Sequence, residues 1–133
     1  MPLRSLIVDD DAVCRTTLVA ALRGFGEADA AATGRDAVEA VRRALADGRP
    51  YHLITLDIMM PDLDGQAALA AIRGLEATAG LIRRDTARIF MTTALGDGRN
   101  VMKAFRGDCT GYLTKPVDLD RLFAQLREQG LIQ

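Results

Sequence analysis

Apolar and polar positions along this chain follow two alternating rhythms: short continuous apolar runs and longer stretches at helical spacing. Leu3 to Asp9 is a compact apolar run ending in acid. From about Asp11 to Gly24 the spacing is helical, with Val13, Leu18, Ala21, Leu22 and Phe25 on offer to one face, until Gly24 and Gly26 break it. A second strand is expected near Glu27 to Ala32, although the segment is Ala-rich and poor in β-branched residues. A helix follows from about Arg35 to Ala46 with Val38, Val41 and Leu45 on one side, stopped by Gly48 and Pro50. Tyr51 to Leu56 reads as a third strand with Asp57 at its end. A helix opening near Gly65 carries Leu69, Ile72 and Leu75, and Glu76 to Thr86 reads as a fraying, extended connection. Arg88 to Thr93 is a fourth strand; Val101, Met102 and Phe105 mark another helix; Gly111 to Thr114 is a short fifth strand. The last helix opens at the N-cap Asp118 with Leu119, Leu122, Phe123 and Leu126 at helical spacing.

Strand and helix thus alternate five times. Strands this apolar are buried on both faces, which predicts an α/β fold: a doubly wound, five-stranded parallel sheet, flavodoxin-like, with helices on both sides. Such sheets build their sites at the carboxyl ends of the strands. The length of 133 residues suits one domain, expected to span 1–133, with no repeat, linker or separate output module.

Composition narrows the partners. A net charge of −1 provides no basic field for nucleic acid or an anionic membrane, and no apolar run is long enough to span a bilayer. No export signal precedes the first strand, so a cytoplasmic location is expected. Cys14 and Cys109 stand in no metal-ligand or redox spacing and are expected to be free thiols, while a lone histidine, His52, supports neither a zinc site nor a histidine relay.

Candidate chemistry appears at the predicted carboxyl edge. The first strand ends in Asp9, Asp10 and Asp11, the third in Asp57, the fourth in Thr92 and Thr93, and the fifth in Lys115 before Pro116. Crowded carboxylates raise one another's pKa unless a cation sits among them, and oxygen-only ligands of this charge suit Mg²⁺. A carboxylate so placed can attack phosphorus to give an acyl phosphate. The metal and a lysine would neutralise the equatorial phosphoryl oxygens, and a threonine hydroxyl would bond the phosphate once installed.

Four segments, Leu-Ile-Val-Asp-Asp-Asp (6–11), Leu-Asp-Ile-Met-Met-Pro-Asp-Leu-Asp-Gly (56–65), Met-Thr-Thr-Ala (91–94) and Gly-Tyr-Leu-Thr-Lys-Pro (111–116), resemble in order and separation those of response regulator receiver domains of two-component systems, chemotaxis regulators included. The resemblance implies that Asp57 is the phosphoacceptor and that Asp10 and Asp57 ligate Mg²⁺ together with the Met59 carbonyl, Asp9 acting through water. It implies that Thr93 is the switch hydroxyl, Lys115 the phosphate-binding lysine and Tyr112 the switch aromatic, with Lys115-Pro116 cis. Pro61 and Gly65 match the turn that shapes the loop after Asp57. Two positions that influence hydrolysis in such domains are Met59 and Leu95 here, both apolar, which implies slow self-dephosphorylation. The implied partners are a sensor histidine kinase or histidine phosphotransfer protein docking near the first helix, and an unidentified downstream protein.

Plainer roles cover the neighbouring residues: capping for Asp11, solvated turns for Asp62 and Asp64, packing for Thr92, a strand-edge position for His52. A phosphohydrolase of the haloacid dehalogenase type would need an acid two residues past its nucleophile, where Met59 stands. A flavin or dinucleotide site is disfavoured because Gly24-Phe25-Gly26 lacks a third glycine and follows a helix. A docking scaffold that is never phosphorylated is disfavoured because every expected site residue is present. The expected function is that of a phosphorylation-operated switch rather than an enzyme.

Overall fold

A computed structural model describes residues 2–94 and 109–133. The described strands are β1 (Leu3–Val8), β2 (Gly26–Ala31), β3 (Leu53–Asp57), β4 (Arg88–Ala94) and β5 (Gly111–Lys115). The helices are α1 (Ala12–Arg23), α2 (Gly34–Ala46), α3 (Gly65–Thr78) and α4 (Leu119–Glu128), with a 3₁₀ turn at Arg83–Asp85. The helix expected around Val101, Met102 and Phe105, and the position Leu95, lie outside the described residues.

All five strands are parallel, in the order β2-β1-β3-β4-β5. Side chains alternate across a strand, so each strand feeds two cores. Leu6, Val8, Ile54, Leu56, Ile89 and Met91 pack with Val41, Leu69 and Ile72 of α2 and α3. Ile7, Leu53 and Phe90 pack on the opposite face with Leu18, Leu22, Leu122 and Leu126 of α1 and α4. Each Leu or Ile buried this fully contributes about 1.5–3 kcal/mol, which outweighs the weak strand propensity of β2. That strand is an edge where only Ala28 and Ala31 are buried, hence its faint apolar signature.

The helix starts follow from capping. Asp11, Thr33, Asp64 and Asp118 each accept hydrogen bonds from backbone N–H groups in the first turn of the helix that follows. Asp62, expected to be a solvated turn residue, does more: its two oxygens accept the N–H groups of Gly34 and Arg35, both at 3.1 Å, tying the loop after β3 to the start of α2. Gly26 is required as glycine, because at its φ of +155° a Cβ would lie 1.9 Å from the Leu3 carbonyl oxygen.

Three expectations need correction. Val13 does not join the buried face of α1; it is 74% exposed, because the first turn of that helix overhangs the sheet edge. β3 begins at Leu53 rather than Tyr51, since Tyr51 turns to bond Asp29 at 2.7 Å and His52 exchanges bonds with the Arg4 backbone. Burial, and then the nearby Arg4 cation, lower the His52 pKa. Glu76 to Thr86 is not a fraying extension: α3 runs to Thr78 and Glu76 is buried. One Glu76 oxygen pairs with Arg73 at 2.7 Å and the other accepts the Ala87 N–H at 2.6 Å. Among the described residues no helix is long and apolar enough to cross a membrane.

Candidate functional site

The chain winds from β1 towards β2 on one side and from β3 towards β4 and β5 on the other, so a crevice opens beyond the carboxyl ends of β1 and β3. Asp57 is the last residue of β3, and Asp9 and Asp10 directly follow β1. One carboxylate oxygen from each of Asp9, Asp10 and Asp57 lies within 4.8 Å of the others. Asp9 and Asp57 are buried, whereas Asp10 is exposed at the mouth. At the end of β5, the Lys115 ammonium sits 3.0 Å from Asp9 Oδ2 and 3.0 Å from Asp57 Oδ2. The peptide bond that follows, Lys115-Pro116, is cis.

Burial is the main influence on Asp57 and raises its pKa; bonds to Lys115 oppose the rise, the Asp9 charge adds to it, and the outcome is about 6. For Lys115, burial works against the charged form, but the bonds to Asp9 and Asp57 outweigh it and raise the pKa above the ordinary lysine value. Three carboxylates facing one ammonium leave two negative charges to balance. An oxygen-only donor set with that deficit fits a divalent cation such as Mg²⁺.

The remaining expected residues that are described lie on β4, on β5 and in the loop after β3. Thr93 is buried in β4, and its hydroxyl donates to the Ala94 carbonyl at 3.5 Å. In lateral register it is Thr92, not Thr93, that lies beside Asp57; Thr92 is buried as expected for packing, and its hydroxyl has no partner among the described residues. Tyr112 of β5 is half-buried against the core on the α2–α3 side, in register with Met91. The Met59 N–H donates to Asp57 Oδ1 at 3.2 Å, while its side chain is 65% exposed. Asp11 caps α1 and donates its own N–H to Asp9 Oδ1, which leaves it outside the carboxylate group.

Two residues support the site in ways the sequence reading did not show. Arg15 donates to the Asp9 carbonyl at 2.8 Å, fixing the turn that carries the acids. Gly65, recognised only as part of a turn, packs so tightly that a Cβ would fall 2.6 Å from the Asp57 carbonyl oxygen and 2.7 Å from Ile58 Cα. The signal for Arg15 was its place one turn into a helix that starts at the acidic run.

Comparison with known proteins agrees with this geometry. The family model of the response regulator receiver domain matches residues 5–127. CheY, the chemotaxis protein of Bacillus subtilis, is 32% identical over 127 residues, covering 94% of this chain and 95% of that protein. The transcriptional regulatory protein TcrA of Mycobacterium tuberculosis is 36% identical over 125 residues, 93% of this chain, but the match spans only 44% of TcrA. Among solved structures, the receiver domain of the Arabidopsis thaliana histidine kinase CKI1, complexed with Mg²⁺, superposes with a TM-score of 0.82 at 24% identity, covering 95% of this chain and 90% of that one. The co-crystal structure of the Saccharomyces cerevisiae histidine phosphotransfer protein Ypd1 with the receiver domain of Ssk1 gives a TM-score of 0.79 at 29% identity, covering 97% and 89%. The chain belongs to the response regulator receiver domain family.

Proposed function

We propose that this chain is a phosphoacceptor switch: Asp57 takes a phosphoryl group from a phosphohistidine, and the acyl phosphate changes the chain's binding to a downstream protein. The observation that carries this reading is the Lys115 ammonium held 3.0 Å from both Asp9 and Asp57 within a group of three carboxylates. Asp10 and Asp57 would hold Mg²⁺ directly with the Met59 carbonyl, and Asp9 through water. Bound there, the ion supplies positive charge to the phosphoryl oxygens.

An Asp57 oxygen attacks phosphorus and forms an O–P bond as the P–N bond to the donor imidazole breaks; the imidazole keeps the electron pair and is protonated from solvent. Lys115 remains an ammonium throughout, because its pKa is raised, and meets the charge that develops on the equatorial oxygens. The Thr93 hydroxyl, at the outer limit of a hydrogen bond to Ala94, is readily redirected to a phosphoryl oxygen. Tyr112 then turns into the space that Thr93 vacates, and the β4–β5 side of the domain shifts its population between two arrangements. The donor is a histidine kinase or a phosphotransfer protein, as in the Ypd1–Ssk1 pair. Beside Asp57, the apolar Met59 cannot orient a water for in-line attack, so the acyl phosphate is long-lived.

The test is Mg²⁺-dependent labelling by acetyl phosphate, whose P–O bond breaks to release acetate. Labelling is expected in the wild type and absent in Asp57→Asn; equal labelling of the two would refute the assignment.

A further inference from the structure

At the edge of the sheet opposite Asp57, the last turns of α3, the connection to β4, the residues leading into β5 and the cap of α4 enclose an open cavity of about 780 Å³. Its walls include Arg73, Arg83, Arg84 and Arg88, with Glu76 as the one acid among the described lining residues. Glu76 is already committed, to Arg73 through one oxygen and to the Ala87 N–H through the other. Among the described residues Arg84 pairs with the exposed Asp85, at 4.0 Å, a pair that salt screens. Among the described residues no carboxylate pairs with Arg83 or Arg88, and Arg88 spends one of its five donors there, on the Thr86 carbonyl at 3.0 Å. Thr110 accepts the Ile89 N–H, which leaves its hydroxyl proton to donate.

We propose that this cavity is an anion site for an oligophosphate, a ligand with two or more linked phosphates. Guanidinium groups meet phosphate oxygens two at a time, and here they are offered from two segments, a turn and a strand. The volume lies within the range of ligand pockets and exceeds one phosphate. Among the described residues no aromatic ring lines the cavity, so none of them selects a base. Recognition is therefore of the phosphate chain, whether inorganic or the tail of a nucleotide. The site is separate from the acidic crevice and does not depend on the role of Asp57.

Titration of the full chain with inorganic tripolyphosphate, ATP and sulfate at matched ionic strength, followed by amide NMR shifts, tests this. Tripolyphosphate is expected to shift residues 83–88, 110 and 129 and to bind at least tenfold more tightly than sulfate. ATP that matches tripolyphosphate means the phosphate chain alone is read; tenfold tighter ATP would mean that the base is read as well and would overturn the proposal as stated. Arg83 and Arg84 are exposed, so the double variant R83E/R84E should fold, accept phosphate at Asp57 as the wild type does, and lose at least tenfold in tripolyphosphate affinity. Undiminished binding by that variant, or shifts scattered over all surface arginines in proportion to ionic strength, would overturn it.

Discussion

Asp57→Asn should stabilise the cation-free domain, although it removes the proposed phosphoacceptor. The carboxylate is nearly buried, and its pKa stands at about 6 against an ordinary 3.8. A rise of about two units at about 1.4 kcal/mol each makes the ionised form about 3 kcal/mol less favourable in the folded protein than in the unfolded chain. Between these two pKa values the folded state holds a proton that the unfolded state has released, so stability falls as pH rises through the window. The penalty is complete above pH 6, about half its full size near pH 5 and small by pH 4. Asparagine keeps the shape and lacks the charge, while Lys115 keeps Asp9 as a partner. The expected gain at pH 7.5 without divalent ions is therefore about 2–3 kcal/mol, or roughly 6–12 °C in Tm. Urea denaturation of both proteins from pH 4.5 to 7.5 measures it. Adding Mg²⁺ at a hundred times its dissociation constant should return about 2.7 kcal/mol to the wild type and much less to the variant. A variant less stable than the wild type at pH 7.5, or a gain that does not change with pH, would refute the electrostatic account.

Met59→Asn combined with Leu95→Glu should shorten the lifetime of the phosphorylated form, read as phosphate release after the donor is removed; an unchanged rate would count against the role of the apolar pair. Glu76→Ala should cost about 2–4 kcal/mol in urea denaturation, because the Ala87 N–H loses a buried acceptor and Arg73 loses a carboxylate. Gly65→Ala should lower both stability and the rate of labelling by acetyl phosphate, since its Cβ would collide with backbone at Asp57 and Ile58 and displace the loop beside the proposed phosphoacceptor.

The architecture was legible because the strands are short apolar runs and the helices carry strong caps, and the acids and lysine of the site were legible because each ends such a run. What separated Asp9 from Asp10 was not: adjacent residues of one type differ in burial because the strand ends between Val8 and Asp9. Val13 misled because helical periodicity does not say how far a helix projects past the sheet. Glu76 was misread because a charged residue suggests a helix end, when its partner Arg73 three residues earlier and an N–H eleven residues later make it interior. Asp62 could not have been read, since its partners lie 27 and 28 residues upstream.

That last contact has a mechanical consequence. Asp57 is anchored in the central strand, Ile58 bonds the Thr92 carbonyl of β4, and Asp62 is moored to the start of α2, so residues 59–61 form a short span clamped at both ends. A displacement at Asp57 that reaches this loop has three residues in which to dissipate before it pulls on a helix, and α2 is thereby coupled to Asp57 through the backbone.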